Sequence, residues 1–360
     1  MTIKGYFNKY FLNHSHMNKY LFAVLILVIC CVSCTNESEK SMTTKNLQLP
    51  LPANFDTVLD GKKVGLLYLK SASGLQAAVT NYGARMVGLW VPDSAQGYTD
   101  VVVGFSSIRE YVEAKERFFG AIVGRFGNRI AKGQFQLDGA SYQLVINNEP
   151  NSLHGGPTGF HSRVWEMRQP DSATVVLNYV SPDGEEGYPG ELYVQVTYQL
   201  TEKNELLISY QYSSNKKTIA NITNHNFWNL NGEGAGTVND HTLKIAADQY
   251  TAVDATLIPA ALENVAGTAF DFREWKTIGK DLDTVASVQL KYGLGYDHNF
   301  VLSKGITVNP EWAAGIKGNK TGIKMDIYTT EPGLQFYGGN FMNSLHTFKN
   351  GSKDDFRTAF

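Results

Sequence analysis

The stretch from Glu191 to Ser213 leaves the fewest folds open to this chain. Leu192, Val194, Val196, Tyr198 and Leu200 alternate with Gln195, Thr197 and Gln199. A polar turn at Glu202, Lys203 and Asn204 follows, and Leu206, Ile208, Tyr210 and Tyr212 alternate again. A period of two belongs to a strand with one wet and one buried face, so the two runs predict a long antiparallel hairpin. The pattern recurs along the chain. Val64 to Leu69 reads as a strand, and Leu75 to Val91 as two more, broken at Asn81, Tyr82 and Gly83. Gln134 to Leu137 turns at Asp138 and Gly139 into Tyr142 to Ile146, a hairpin by its turn dipeptide. Helical periodicity is scarce, and Ser107 to Arg117 is the one good short-helix candidate. Many strands and few helices predict an all-β fold, a large antiparallel β-sandwich, in one domain.

The first part of the chain reads differently. Leu21 to Val32 is apolar apart from cysteines, follows Lys19, and closes on Cys31, Val32, Ser33 and Cys34. A run of that length falls short of the roughly 20 residues that span a bilayer. It has the proportions of a signal-peptide core, and resembles a bacterial lipoprotein signal with Cys34 as the residue to be lipidated. The expected organisation is a signal peptide over 1–33, a polar tether over 34–52 and the β-domain over 53–360. Met17 is the more typical start for such a leader. A lipid on Cys34 would make the protein exported and membrane-anchored. All three cysteines, Cys30, Cys31 and Cys34, lie in this segment, so the β-domain has neither a disulfide nor a cysteine metal site.

With 32 basic and 34 acidic residues the net charge is −2, which offers no electrostatic footprint for nucleic acid. Polar residues instead collect in short clusters. Asn221 to Leu230 holds four asparagines, two aromatics and His225, the one side chain there that titrates near neutrality. Such a run suits fixing hydroxyls and moving protons. Four others are Gly124 to Ile130, Asn151 to Gly156, Tyr296 to Phe300, and Thr330 to Asn340. Arg129 supplies a rigid fork of donors and Asp297 an acceptor for two hydroxyl protons, an inventory that suits a neutral polyol. Taken singly, Arg129 reads equally well as a surface ion pair, Asp297 as a turn residue and His154 as a loop tether. Sharper motifs fail. Gly155 to Gly159 lacks the Gly-Lys-Ser/Thr ending of a phosphate loop, and Gly232, Gly234 and Gly236 have the wrong spacing for a dinucleotide fingerprint. The histidines show no zinc spacing, no Gly-x-Ser-x-Gly elbow exists, and no cofactor is expected.

Taken together, the clusters resemble the aldose 1-epimerase, or galactose mutarotase, family. The likeness runs from about Asn54 to Phe360. It rests on Asn81 to Ala84, Gly124 to Lys132, Asn151 to Gly156, Thr223 to Leu230, Tyr296 to Phe300, and Glu331 to Asn340, in that order. It implies a β-supersandwich with a cleft for a small aldose such as glucose or galactose. It further implies that His225 is the acid that protonates the ring oxygen, with His154 a second histidine beside it. Asn128, Arg129, Asp297 and Glu331 would bind the sugar.

Anomer exchange needs a base for the C1 hydroxyl proton and an acid for the ring oxygen, and no metal or redox group. In the family the base is a glutamate in a Leu-Glu-Thr-Gln segment. The chain as written reaches only Arg357 to Phe360 where that segment would begin, so it is expected to lack both the base and the last strands, as an incomplete gene model would. Two alternatives follow: a sugar-binding lipoprotein without turnover, and a relative acting on sugar phosphates or polysaccharides. With unshifted groups, activity would be bell-shaped in pH between about 4 and about 6.5.

Overall fold

The computed structural model describes residues 2–7, 47–93 and 97–360. Its largest sheet has nine strands, in the spatial order Glu166–Asp171, Thr174–Ser181, Leu192–Leu200, Glu205–Ser214, Thr2–Phe7, Lys324–Thr329, Glu311–Lys317, Thr242–Ile245 and Lys276–Thr277. The hairpin expected from alternation lies at its centre, with Leu192 opposite Ser214 and Leu200 opposite Leu206. Leu192, Val194, Val196, Tyr198 and Leu200 are all buried. A register slip of one residue would turn that whole set outward, so burial of one face specifies the pairing.

Two four-stranded sheets complete the body. One runs Pro259–Asn264, Ala247–Val253, Asp297–Leu302 and Gly333–Tyr337; the other runs Leu66–Lys70, Gln76–Thr80, Arg85–Pro92 and Tyr98–Asp100. One continuous core joins all three sheets, through residues such as Ala77, Val194 and Phe300. A second cluster gathers Phe55, Phe105, Phe119, Phe227, Met342 and Phe348. Sheets that bury one face against each other are the sandwich arrangement the alternation implied.

The differences from expectation are local. The Val64 to Leu69 run splits at Gly65, whose amide turns to the Asn81 side chain at 3.0 Å. The short helix is Ile108–Glu113, and Ser107 caps it by accepting from the Glu110 amide. The Glu110 carboxylate reaches back to the Ser106 amide and the Ser107 hydroxyl, a reciprocal cap that sets the helix start. A second helix, Val288–Tyr292, is a single turn and too short to show a period. Thr2–Phe7 falls in the segment read as a leader. It stands as a strand parallel to both neighbours in an otherwise antiparallel sheet. The apolar run Leu21 to Val32, Cys34 and most of the tether lie outside the described residues.

Tyr198 couples the large sheet to the loops above it. Its hydroxyl donates to the Ala84 carbonyl at 2.9 Å and accepts from the Asn224 amide at 3.1 Å, and the ring is fully buried. Tyr198→Phe strands two buried polar groups, which typically costs about 1–3 kcal/mol. Urea unfolding should show a lower midpoint at unchanged slope.

Candidate active site

Two short ribbons and one sheet edge bring the polar clusters together. Arg129 and Ile130 pair with Leu153 and Ser152, which sets His154 one residue past the end of its strand. Thr223–His225 pairs with Ala121–Val123, His225 opposite Ala121. Asp297 opens its strand opposite Tyr337, with Gln335 two residues along the neighbouring strand. The His154 loop lies directly on the Gly124 backbone: a Cβ at Gly155 would come within 1.8 Å of the Gly124 carbonyl, at φ +84°. Only glycine fits there.

Asn128 and His154 hold each other. The Asn128 amide donates to His154 Nδ1 at 2.9 Å, and the His154 amide donates to the Asn128 carbonyl at 3.1 Å. Both residues have left-handed backbones, φ 71° and 52°, a conformation that non-glycine residues keep only where their surroundings enforce it. Because Nδ1 accepts, the neutral His154 ring carries its proton on Nε2. That N–H has no protein partner among the described residues. His225 stands edge-on to His154, ring centroids 5.0 Å apart. Phe118 is wedged against both, 4.7 Å from His154 and 5.6 Å from His225, and Phe227 stacks on the far side of His225 at 5.0 Å.

A hydrogen-bonded chain runs from this pair to the sheet edge. Asn128 Nδ2 donates to Gln335 Oε1 at 3.2 Å, and Gln335 Nε2 donates to Asp297 Oδ1 at 2.8 Å. Arg129 is held by Asn148, its Nε donating at 2.9 Å, while its Nη1 stops 4.0 Å from Asp297 Oδ2. Burial lowers the Arg129 pKa and raises that of Asp297, and in each the attraction of the other opposes burial without overcoming it. Two charges at that distance, nine-tenths shielded from solvent, are attracted less than desolvation costs. Hydrogen-bonding capacity is left over on both groups.

The histidines are neutral. Burial pushes His225 down to about 4, its own backbone pulling weakly the other way. This corrects the unshifted value of about 6.5 expected from sequence. His154 lies well below its ordinary value through burial, with His225 and Arg129 adding repulsion. A third histidine, His161, packs 4.8 Å from Phe118 with both ring nitrogens unpaired, and is pushed to about 3.

The structure brings together Asn128, Arg129, His154, His225 and Asp297. It does not bring Glu331. That residue's amide donates to Thr329, Lys304 donates to its carbonyl, and its charge acts on Tyr212 and Lys304 rather than on Arg129. The position at the cluster belongs to Gln335, four residues on. Strand alternation could have found it, since Gln335 and Tyr337 share a face beside Asp297. The asparagines of the Asn221 to Leu230 run also differ from expectation. Asn221 bonds the Gly127 carbonyl, Asn224 bonds Tyr198, and Asn229 bonds the carbonyls of Gly236 and Thr358. These three scaffold the loop, while Asn226 turns its Nδ2 to Met86 and leaves its buried Oδ1 unpartnered. Arg125 spends its guanidinium on Ser181, Pro182 and Pro189, so it is no phosphate donor.

Comparison with known proteins identifies the family of the chain. The family model described as Aldose 1-epimerase matches residues 65–360. The galactose mutarotases of Sus scrofa and Homo sapiens are each 42% identical over 279 residues, 77% of this chain and 78% of theirs. The aldose 1-epimerase of Escherichia coli is 36% identical over 285 residues, 79% and 81%. Among solved structures, an aldose epimerase homologue from C. elegans superposes with a TM-score of 0.75 at 29% identity, covering 82% of this chain and 87% of that one. A galactose 1-epimerase from Lactobacillus acidophilus gives 0.69 at 30%, covering 84% and 88%. The all-β body superposes on solved epimerases, and the chain belongs to the aldose 1-epimerase family.

Proposed function

We propose that the cluster at the sheet edge is where this isomerase exchanges the α and β anomers of a hexose such as galactose or glucose. The carrying observation is the pair of neutral imidazoles, 5.0 Å apart and backed by Phe118, beside a buried guanidinium and carboxylate that satisfy each other only in part. The hydroxyls of a pyranose supply the missing bonds: Asp297 accepts, Arg129 and Asn128 donate, and Gln335 bridges. The sugar is thereby oriented with its ring oxygen toward the histidines.

The chemistry is a proton exchange across the anomeric centre. The C1 hydroxyl gives up its proton to a base, the role the family gives to the glutamate of its Leu-Glu-Thr-Gln segment, C1 becomes a carbonyl, and the C1–O5 bond breaks as O5 takes a proton. The aldehyde end rotates and the same transfers in reverse close the ring on the other face. His225 is the donor to O5, and His154 supports the developing charge through Nε2–H. A neutral imidazole serves here, because its N–H can donate to an oxygen that becomes basic only as the bond breaks. Asp297 binds and Glu331 takes no part. A sugar-binding role without turnover is not favoured, since the relatives are named for epimerase and mutarotase activity. The proposal extends to the N-terminus: Cys34 carries a lipid that anchors the exported enzyme to a membrane. Its support is the sequence pattern there, and it requires that the strand Thr2–Phe7 leave with the cleaved leader.

His225→Ala should lower kcat for galactose mutarotation, followed by polarimetry, on the order of 10²–10⁴-fold; a wild-type rate would remove the residue from the mechanism. With His225 titrating near 4, its neutral form persists from about pH 5 upward, so kcat/KM should show no limb near 6.5. Asp297 is raised above the ordinary aspartate range, so KM should climb on acidification at a higher pH than an exposed aspartate would give. Asp297→Asn should abolish that limb while raising KM. Metabolic labelling with palmitate should mark the full-length protein and leave Cys34→Ser unlabelled.

A further inference from the structure

A buried three-charge cluster lies outside the site, and no step above uses it. Lys349 Nζ donates to Glu233 Oε2 at 2.7 Å and to the Val102 carbonyl at 2.8 Å, and sits 3.3 Å from Asp100 Oδ2. The side chains are 9%, 3% and 16% exposed in the order Lys349, Glu233, Asp100, which excludes a surface ion pair. Every remaining acceptor is used. Glu233 also accepts from the amides of Gly104 and Asn350, and Asp100 from those of Leu89 and Val102. Three segments distant in sequence, 100–104, 233 and 349–350, are thus joined at one ammonium.

Those segments flank residues 227–229, which follow the strand Thr223–His225. The Val103 amide donates to the Phe227 carbonyl and the Asn229 amide to the Val101 carbonyl, at 3.0 and 2.9 Å. On the other side Trp228 and Phe360 exchange two backbone bonds, at 2.8 and 2.9 Å. Residues 339–360 therefore form a strap beside residues 227–229, and Lys349 latches the strap to residues 100–104 on the opposite flank. The latch also seats Phe348 against Phe119 at 5.3 Å; Phe119 packs on Phe227 at 4.5 Å, and Phe227 stacks on His225. Burying three charges is a poor way to gain stability, since apolar residues of like volume do as well or better. What such a cluster supplies is a single register.

We infer that Lys349 is a positioning residue for the epimerase reaction: by joining Asp100 and Glu233 to the strap, it fixes residues 227–229 and with them the Phe227 ring that stacks on His225. The inference rests on His225 as the proton donor. Sugar hydroxyls are held from other elements, by Arg129 and Asp297, so losing the latch should misplace the donor and spare binding.

The test separates register from stability. Lys349→Met leaves two carboxylates facing each other, and should lower both Tm and kcat, with KM little changed. Displacement of a catalytic group by about 1 Å costs up to 10²-fold, so a fall in kcat on the order of 10-fold to 100-fold is expected. Lys349→Met/Glu233→Gln removes the repulsion and should regain Tm without regaining kcat. Lys349→Arg keeps the charge, yet a planar fork cannot take the place of a compact ammonium among these three acceptors. It should fold and still lose kcat, which keeps the test decisive if the methionine variants fail to fold. Wild-type kcat per folded molecule in these variants, or kcat recovering in step with Tm, would overturn the inference. His225→Ala is measured beside them. If it keeps the wild-type rate, the donor assignment fails and this inference falls with it; if it loses the rate while the Lys349 variants keep theirs, only the latch is refuted.

Discussion

The reciprocal pair between Asn128 and His154 is the constraint on which the rest of the site depends. Each backbone amide serves the other residue, and both residues hold a left-handed conformation that neither would keep alone. Three consequences follow from that exchange. It presents Arg129 beside Asp297, it assigns the His154 proton to Nε2, and it aims the Asn128 side chain at Gln335. Strain in two residues is offset by hydrogen bonds across the end of one ribbon, and the fold must over-determine the loops for the arrangement to persist. The absence of a side chain at Gly155, which lets the loop rest on the Gly124 carbonyl, is part of that over-determination.

A second balance governs the electrostatics. Arg129 and Asp297 stand close enough to attract and too far apart to compensate their burial, so each is shifted toward its uncharged form. An ion pair that served stability would close to hydrogen-bonding distance. This one is held open by Asn148 on one side and Gln335 on the other. The imidazoles obey the same economy of solvent: enclosed by Phe118 and Phe227, they give up their charge and become neutral donors. Water exclusion thus explains both the poised binding pair and the depressed histidines, and it strengthens every hydrogen bond the sugar makes.

The same aromatic layer ties the site to the body of the protein. Phe227 belongs at once to the histidine stack and to the second core cluster, where Phe105, Phe119 and Phe348 meet it. Packing at interior density transmits small displacements, so residues far from the sugar can govern where the reacting imidazole sits. The asparagines at 221, 224 and 229 contribute to the same end through backbone carbonyls and Tyr198. What looked in sequence like ligand-binding amides is the frame that holds one histidine.

How much could be read without coordinates depends on the range of the interaction involved. Alternation from Leu192 to Tyr212 determined the strand pair, its buried face and the sandwich class, because a period of two is local and needs no partner to be visible. Cluster composition likewise pointed to Arg129, His225 and Asp297, since proton transfer and hydroxyl binding demand those chemical types, and the family resemblance added Asn128, His154 and Glu331. Gln335 in place of Glu331 was decided only by strand register, which places position 335 across from Asn299 and within reach of Asp297. The depressed histidines and the open ion pair were decided only by burial, a property of packing among segments far apart in the chain. Residue type states what a group can do; the dielectric around it and the neighbours at 3 to 5 Å decide which of those things it does, and these exist only once the sheets have closed.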